Sequence, residues 1–255
     1  MEKGKCKKKN SKGRIVIRSI LAVAFVIAIA YLLFYFYNSY KNKKLYEDPD
    51  RDVAMEEIRK VNDRFIEKVK ELQQENPDVK GWIRIEGTII NYPLLQGTDN
   101  DYYFSYNYKK EKTKYGSIML NYKSDIKDVN SNVIIYGHDM KDAQMFGELL
   151  NYKDKAFYET HPTIYIATDE AEAEYQIMYV FLSRVFYKDE TNVFRYYQYY
   201  NFDSESTYNK YLDNCRAIQL YDTRITAEYG DQLITLITCE YSQENGRLVV
   251  VAKKI

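Results

Sequence analysis

The sequence predicts a mainly β fold, a single closed all-β domain held behind one membrane-spanning helix. Three observations predict it. Positions 19–40, a stretch of 22 residues, carry no charge. From Val79 onward the texture changes to short runs rich in β-branched and aromatic residues, separated by turn signals. Seven to nine strand candidates fall over roughly 175 residues with one clear helix interrupting them, which suggests a single closed domain.

The N-terminal element comes first. Ile20 to Phe36 is almost wholly apolar. At about 1.5 Å per residue, the uncharged stretch spans about 33 Å, enough for a bilayer core. Lys3, Lys5, Lys7, Lys8, Lys9, Lys12, Arg14 and Arg18 precede it, opposed only by Glu2. The positive-inside rule places residues 1–18 in the cytoplasm and everything after about residue 40 outside. Tyr31, Tyr35 and Tyr37 sit where an outer interfacial belt forms. The rival is a cleaved signal peptide, since Ala28-Ile29-Ala30 has a small-x-small pattern. The apolar run continues through Tyr31-Leu32-Leu33-Phe34, where a cleavable signal turns polar, and this favours an uncleaved anchor.

The formal net charge of zero hides an asymmetry: residues 1–18 carry eight basic groups and one acid, so the remainder is net acidic by seven. An acidic exported part argues against a nucleic-acid partner. The basic tail is explained by topology and anionic lipid. Of three cysteines, Cys6 lies on the cytoplasmic side. Cys215 and Cys239 are able to pair outside, but two cysteines do not make a disulfide scaffold in a chain long enough to build a core.

Residues 41–52, polar and charged with Pro49, read as a linker. Met55, Ile58, Val61, Phe65, Val69 and Leu72 recur at steps of three and four, the stripe of an amphipathic helix that ends before Asn76-Pro77. Its simplest use is a docking face on the following domain. Strand candidates are 81–85 and 89–94 around the turn Glu86-Gly87, then 116–121, 132–136, 163–167, 175–186, 218–226, 232–238 and 247–253. A clear helix is expected at 204–216 and a shorter one at 143–152. The 28 tyrosines read as surface and groove lining.

The chemistry-bearing residues fall at strand ends. Cys239 closes the run 232–238 and Arg247 opens the next strand, so a thiol and a guanidinium meet at one end of a hairpin. A thiolate is a strong nucleophile, and a fixed cation can stabilise it and an oxyanion made from substrate. His138 follows Val133-Ile134-Ile135-Tyr136-Gly137, placed to act as general acid and base. His161, before Pro162, reads as a surface residue. No metal-ligand spacing, nucleophile elbow, P-loop or glycine-rich nucleotide fingerprint occurs.

This constellation resembles the sortase family, class B in particular. Four segments carry the likeness: 76–85 (NPDVKGWIRI), 92–103 (YPLLQGTDNDYY), 136–140 with Met145-Phe146 (YGHDM), and 236–239 with 247–251 (LITC, RLVVV). Together they reach across nearly all of 76–255. The resemblance implies an eight-stranded sortase-type β-barrel with N-terminal helices, and it makes the helix at 204–216 the additional helix before the last strands. The implied domain plan is a basic tail (1–18), an anchor (19–40), a linker with helix (41–75) and a catalytic barrel (76–255). It implies transpeptidation without a cofactor. Cys239 attacks a backbone carbonyl in the C-terminal sorting signal of an exported protein, a thioacyl enzyme forms, and an amine of cell-wall precursor or of a pilin resolves it. His138 and Arg247 complete the catalytic set. Asn100, Phe104, Tyr197, Thr238 and Glu240 fall at substrate-groove positions. One departure stands out: class B members commonly carry serine two positions before the cysteine, where this chain has Ile237. A membrane-anchored β-barrel that binds wall or peptide without catalysis is the alternative from another functional class.

Overall fold

The computed structural model describes residues 11–47 and 58–255. The basic residues up to Lys9, Cys6, Met55 and the linker positions 48–52 lie outside the described residues. The chain divides into two compact units, ending and beginning at Glu47 and Asp48.

In the first unit, helix α1 runs Ser11–Leu45. Its part Ile17–Leu45 is long and apolar enough to cross a membrane, and Leu21, Phe25, Leu33 and Phe36 are all exposed. The expected linker therefore begins as helix. Positions 41–45 hold no breaker, and Lys43 and Lys44 sit in the last turn, where cations complement the helix dipole.

In the second unit, helix α2 (Ile58–Glu75) leads into eight strands: β1 Val79–Arg84, β2 Asn91–Leu95, β3 Ile118–Leu120, β4 Asn132–Tyr136, β5 Thr163–Ala167, β6 Glu172–Arg184, β7 Leu233–Cys239 and β8 Gly246–Lys254. They close in the order β1-β2-β3-β4-β7-β8-β6-β5. Two neighbouring pairs, β2/β3 and β4/β7, are parallel. Helix α3 (Lys155–Thr160) and helix α4 (Glu205–Ile218) lie in the connections. The stripe of α2 docks on the barrel: Phe65 and Val69 are buried with Trp82, Leu95 and Met119, and the ring of Phe65 lies 5.9 Å from that of Trp82. Ser204 caps α4 by accepting from the Thr207 N–H.

Several expectations are corrected. Residues 218–226 form no strand. Ile218 ends α4, Arg224 takes a φ of 64°, and the chain between them is irregular and alternately exposed; β6 already lies between β5 and β8. The segment instead makes a bridge from Gln219 to Phe181 and bonds from the Leu220 N–H to the Val180 carbonyl, the Tyr221 hydroxyl to the Tyr152 carbonyl and the Thr223 hydroxyl to the Met178 carbonyl. The helix expected at 143–152 is a 3-10 turn, Gly147–Lys153, followed by α3. Ala143 and Met145 have φ of 63° and 59°, which no right-handed helix admits. His161 is not a loose surface group: its ring stacks on Phe157 at 4.1 Å, where it caps α3. The cysteines need no correction: Cys215 and Cys239, whose pairing the sequence does not favour, are both free thiols.

The tyrosines are the largest correction. Tyr103, Tyr115, Tyr152, Tyr175, Tyr196, Tyr208 and Tyr211 are among the largest fully buried side chains. A buried phenol is tolerated when its hydroxyl finds a partner. Tyr103 donates to Asp78, Tyr115 to Asp142, Tyr152 to the His161 carbonyl, Tyr175 to Gln232 and Tyr208 to the Asp231 carbonyl. Tyr211 pairs with Thr235, whose hydroxyl donates to Asn132, tying α4 to β7 and β4. Tyr196 alone of these seven has an unpartnered hydroxyl.

Candidate active site

The site is assembled by strand register. In the parallel pair β4/β7, Tyr136 lies opposite Ile237. The pairing runs past the strand end: the Gly137 N–H donates to the Ile237 carbonyl at 3.2 Å. The Thr238 hydroxyl donates back to the Gly137 carbonyl at 3.0 Å. His138 and Cys239 therefore leave neighbouring strand ends side by side. Gly137 makes this approach feasible, because a Cβ there would lie 2.5 Å from Ile118 Cδ1 and 2.7 Å from the Phe146 ring. Across the antiparallel pair β7/β8, Cys239 lies directly opposite Arg247. The hairpin between them is closed by a bond from the Glu240 N–H to the Gly246 carbonyl at 3.0 Å. All three side chains are half-buried.

Local bonds fix the imidazole. His138 Nε2 lies 2.8 Å from the backbone carbonyl of Phe104, and the two rings are 5.3 Å apart. A proton on Nε2 makes this a hydrogen bond and leaves Nδ1 as the basic nitrogen. The His138 carbonyl accepts from the Phe146 N–H, which anchors the following loop. Arg247 donates from Nη1 to the carbonyls of Asn245 and Gly246, at 3.2 and 2.8 Å.

Side chains adjacent to the pair carry charge on the opposite side of each strand end. Glu240 is buried, with Lys153 Nζ at 3.1 Å and the Ser242 N–H and hydroxyl on its other oxygen. Burial pushes its carboxyl up, but the bonds from Ser242 and Lys153 outweigh this and leave it below the usual range. Asp139 is held above the usual range by burial, eased by Lys153 and reinforced by the like charge of Glu240. Burial also raises the Tyr136 phenol, which accepts from Asn121. Among the described residues no cluster of His, Cys, Asp and Glu is arranged to hold a metal ion.

Register thus brings His138, Cys239 and Arg247 together. Phe104 joins them through its carbonyl and ring. Tyr197 is half-buried beside Tyr196, their rings 5.1 Å apart. Asn100 is farther along the 97–101 turn, its side-chain oxygen accepting from the Tyr122 N–H. The side chains of Thr238 and Glu240 are both buried and engaged in the bonds just described. Sequence reasoning missed Lys153, which pairs with Glu240 across 87 positions and carries no local signal. It also missed Tyr196, where the cluster Tyr196–Tyr200 obscured the one residue that faces inward.

Comparison with known proteins gives a consistent picture. The sortase domain model matches residues 83–255. Sortase B of Listeria monocytogenes is 36% identical over 197 residues, 76% of this chain and 77% of that protein. Sortase B of Staphylococcus aureus is 31% identical over 244 residues, 94% of this chain and 96% of that protein. The crystal structure of sortase B from Bacillus anthracis superposes with a TM-score of 0.69 at 33% identity, covering 86% of this chain and 99% of that one.

Proposed function

This chain belongs to the sortase family and is a cysteine transpeptidase of the sortase B kind; on that premise we propose that Cys239, His138 and Arg247 carry the reaction, and that it cleaves the C-terminal sorting signal of exported proteins and transfers the acyl group to a cell-wall amine. The observation that carries the residue assignment is the register: Cys239 stands opposite Arg247, and the bond from Gly137 to Ile237 carries His138 to the same end.

The Cys239 thiolate adds to the carbonyl carbon of the scissile peptide bond. Arg247 donates N–H groups to the oxyanion. The C–N bond breaks, and imidazolium His138 gives its Nδ1 proton to the departing amine. The thioester that remains is attacked by the incoming amine, which loses a proton to neutral His138. The new C–N bond forms as the C–S bond breaks, and the thiolate is regenerated. Residues 76–255 form the catalytic barrel, and residues 19–40 anchor it with the N-terminus, 1–18, in the cytoplasm and the barrel outside. Asn100, Phe104, Tyr197, Thr238 and Glu240 shape the groove, the last two by holding the strand ends. Ile237 is buried among Tyr196, Phe181 and Val249, so the position two before the cysteine offers substrate no hydroxyl. The sorting motif then differs from one read by serine, and a pilin lysine becomes a natural alternative acceptor.

The nucleophile assignment is tested by comparing two cysteine variants. Cys215 is fully buried in the packing of α4, and burial raises its thiol far above the ordinary range. Cys239→Ala is expected to abolish peptide cleavage, and Cys215→Ala to retain it. Cleavage surviving in Cys239→Ala would refute the assignment.

A further inference from the structure

The unexplained group at this site is the Tyr196 hydroxyl. Tyr196 opens the 3-10 turn Tyr196–Gln198. It is fully buried, its ring edge-on to Phe181 at 5.7 Å and to Tyr197 at 5.1 Å. It packs in one cluster with Phe181, Ile237 and Val249. Strand alternation places the next residue on each of those faces at the site itself: Ile237 precedes Cys239 and Val249 follows Arg247, each by two positions. The phenol thus lies one layer beneath the thiol and the guanidinium, and the charges acting on it include those of Arg247 and Cys239. Six other fully buried tyrosines satisfy their hydroxyls, and this one does not. An unsatisfied buried hydroxyl is destabilising until a partner reaches it.

Arg247 has matching spare capacity. Both of its bonds leave from Nη1 and go to carbonyls of its own turn, Asn245 and Gly246. A guanidinium presents five N–H donors. Held only by that turn, it is oriented by an exposed loop. Held by a phenol locked among aromatic rings, it is oriented by the core.

We propose that Tyr196 is a positioning residue for Arg247: as the acyl enzyme forms, the guanidinium turns from the Asn245 and Gly246 carbonyls and donates an N–H to the Tyr196 phenolic oxygen, aiming its remaining donors at the oxyanion on the Cys239 adduct. The proposal rests on the transpeptidase roles assigned above to Cys239 and Arg247. No bond is made or broken by Tyr196, which stays a neutral phenol throughout.

Tyr196→Phe removes the oxygen and keeps the ring. The full chain in detergent is incubated with an equimolar pool of C-terminal peptides of exported proteins, and the Cys239 adduct is followed by intact mass. Tyr196→Phe is expected to keep or raise the thermal midpoint and to lower the maximal acylation rate about tenfold at an unchanged half-saturating peptide concentration. Combined with Arg247→Lys, it is expected to add no further loss, because coupled residues are non-additive. A wild-type acylation rate in Tyr196→Phe would overturn the proposal. So would a full extra loss in the Arg247→Lys background, or a thermal midpoint that falls in step with the rate, which marks a packing role. A wild-type chain that forms no adduct would remove the transpeptidase roles themselves; a normal wild-type adduct with an unaffected Tyr196→Phe removes only the positioning role.

Discussion

The residues proposed to carry the chemistry are influenced by their immediate chain neighbours. His138 is followed by Asp139 and Cys239 by Glu240, and both acids meet the field of Lys153. They titrate in opposite directions. Asp139 sits above its ordinary value, so the folded state holds its proton more tightly than the unfolded state does. The stability from that proton is complete below the unfolded value of about 3.9 and is lost as pH rises through the raised folded value. Asp139→Asn is therefore expected to gain thermal stability relative to the parent between about pH 4 and pH 7, and to match it at lower pH. A difference in midpoint that stays flat with pH would contradict this. At this scale the strand-end placement of Cys239, His138 and Arg247 was legible, because each stands at the end of a recognisable β run. The pairing of Lys153 with Glu240 and the burial of Tyr196 were not, because both arise from packing between segments far apart in the chain.

At the scale of elements, the decisive feature is the parallel pairing of β4 with β7, which no local pattern announces. Once those strands lie side by side, Gly137 becomes a close-packed point of the site. Its missing Cβ is what allows the Phe146 ring and Ile118 to close over the turn. Gly137→Ala is expected to destabilise the domain by about 1–3 kcal/mol through overpacking and to lower acylation at least about tenfold by displacing His138. Denaturant unfolding and the adduct rate check the two effects separately; a variant with native stability and native rate would contradict the role of this close approach. Strands β4 and β5 were legible to the residue, since their β-branched runs are bounded by turn signals. The segment 218–226 fails as a strand, because both edges of β6 are already paired and the positive φ of Arg224 interrupts an extended backbone. The positive φ of Ala143 and Met145 likewise broke a helix that composition alone favours.

For the whole molecule, the proposed single-pass arrangement rests on the basic tail and the uncharged span that precede the barrel. The described part of the span is one helix long and apolar enough to cross a membrane, and the eight basic groups before it are the ground for the proposed orientation. Protease added outside intact cells is expected to reach the barrel and spare the N-terminal tail; a protected barrel would reverse the topology. The closed barrel itself was legible from strand number and spacing, whereas its aromatic interior was not, because tyrosine is read as a surface residue until its hydroxyl is seen to be paired. The central claim is that this barrel presents one nucleophilic thiol, supported by one histidine and one arginine, to a peptide carbonyl. The most direct test is intact mass spectrometry of the full chain in detergent with C-terminal peptides of exported proteins. A thioester adduct on Cys239 is expected, absent in Cys239→Ala and strongly reduced in Arg247→Ala. A folded chain whose Cys239 reacts with a small alkylating reagent yet forms no adduct with any peptide would contradict it.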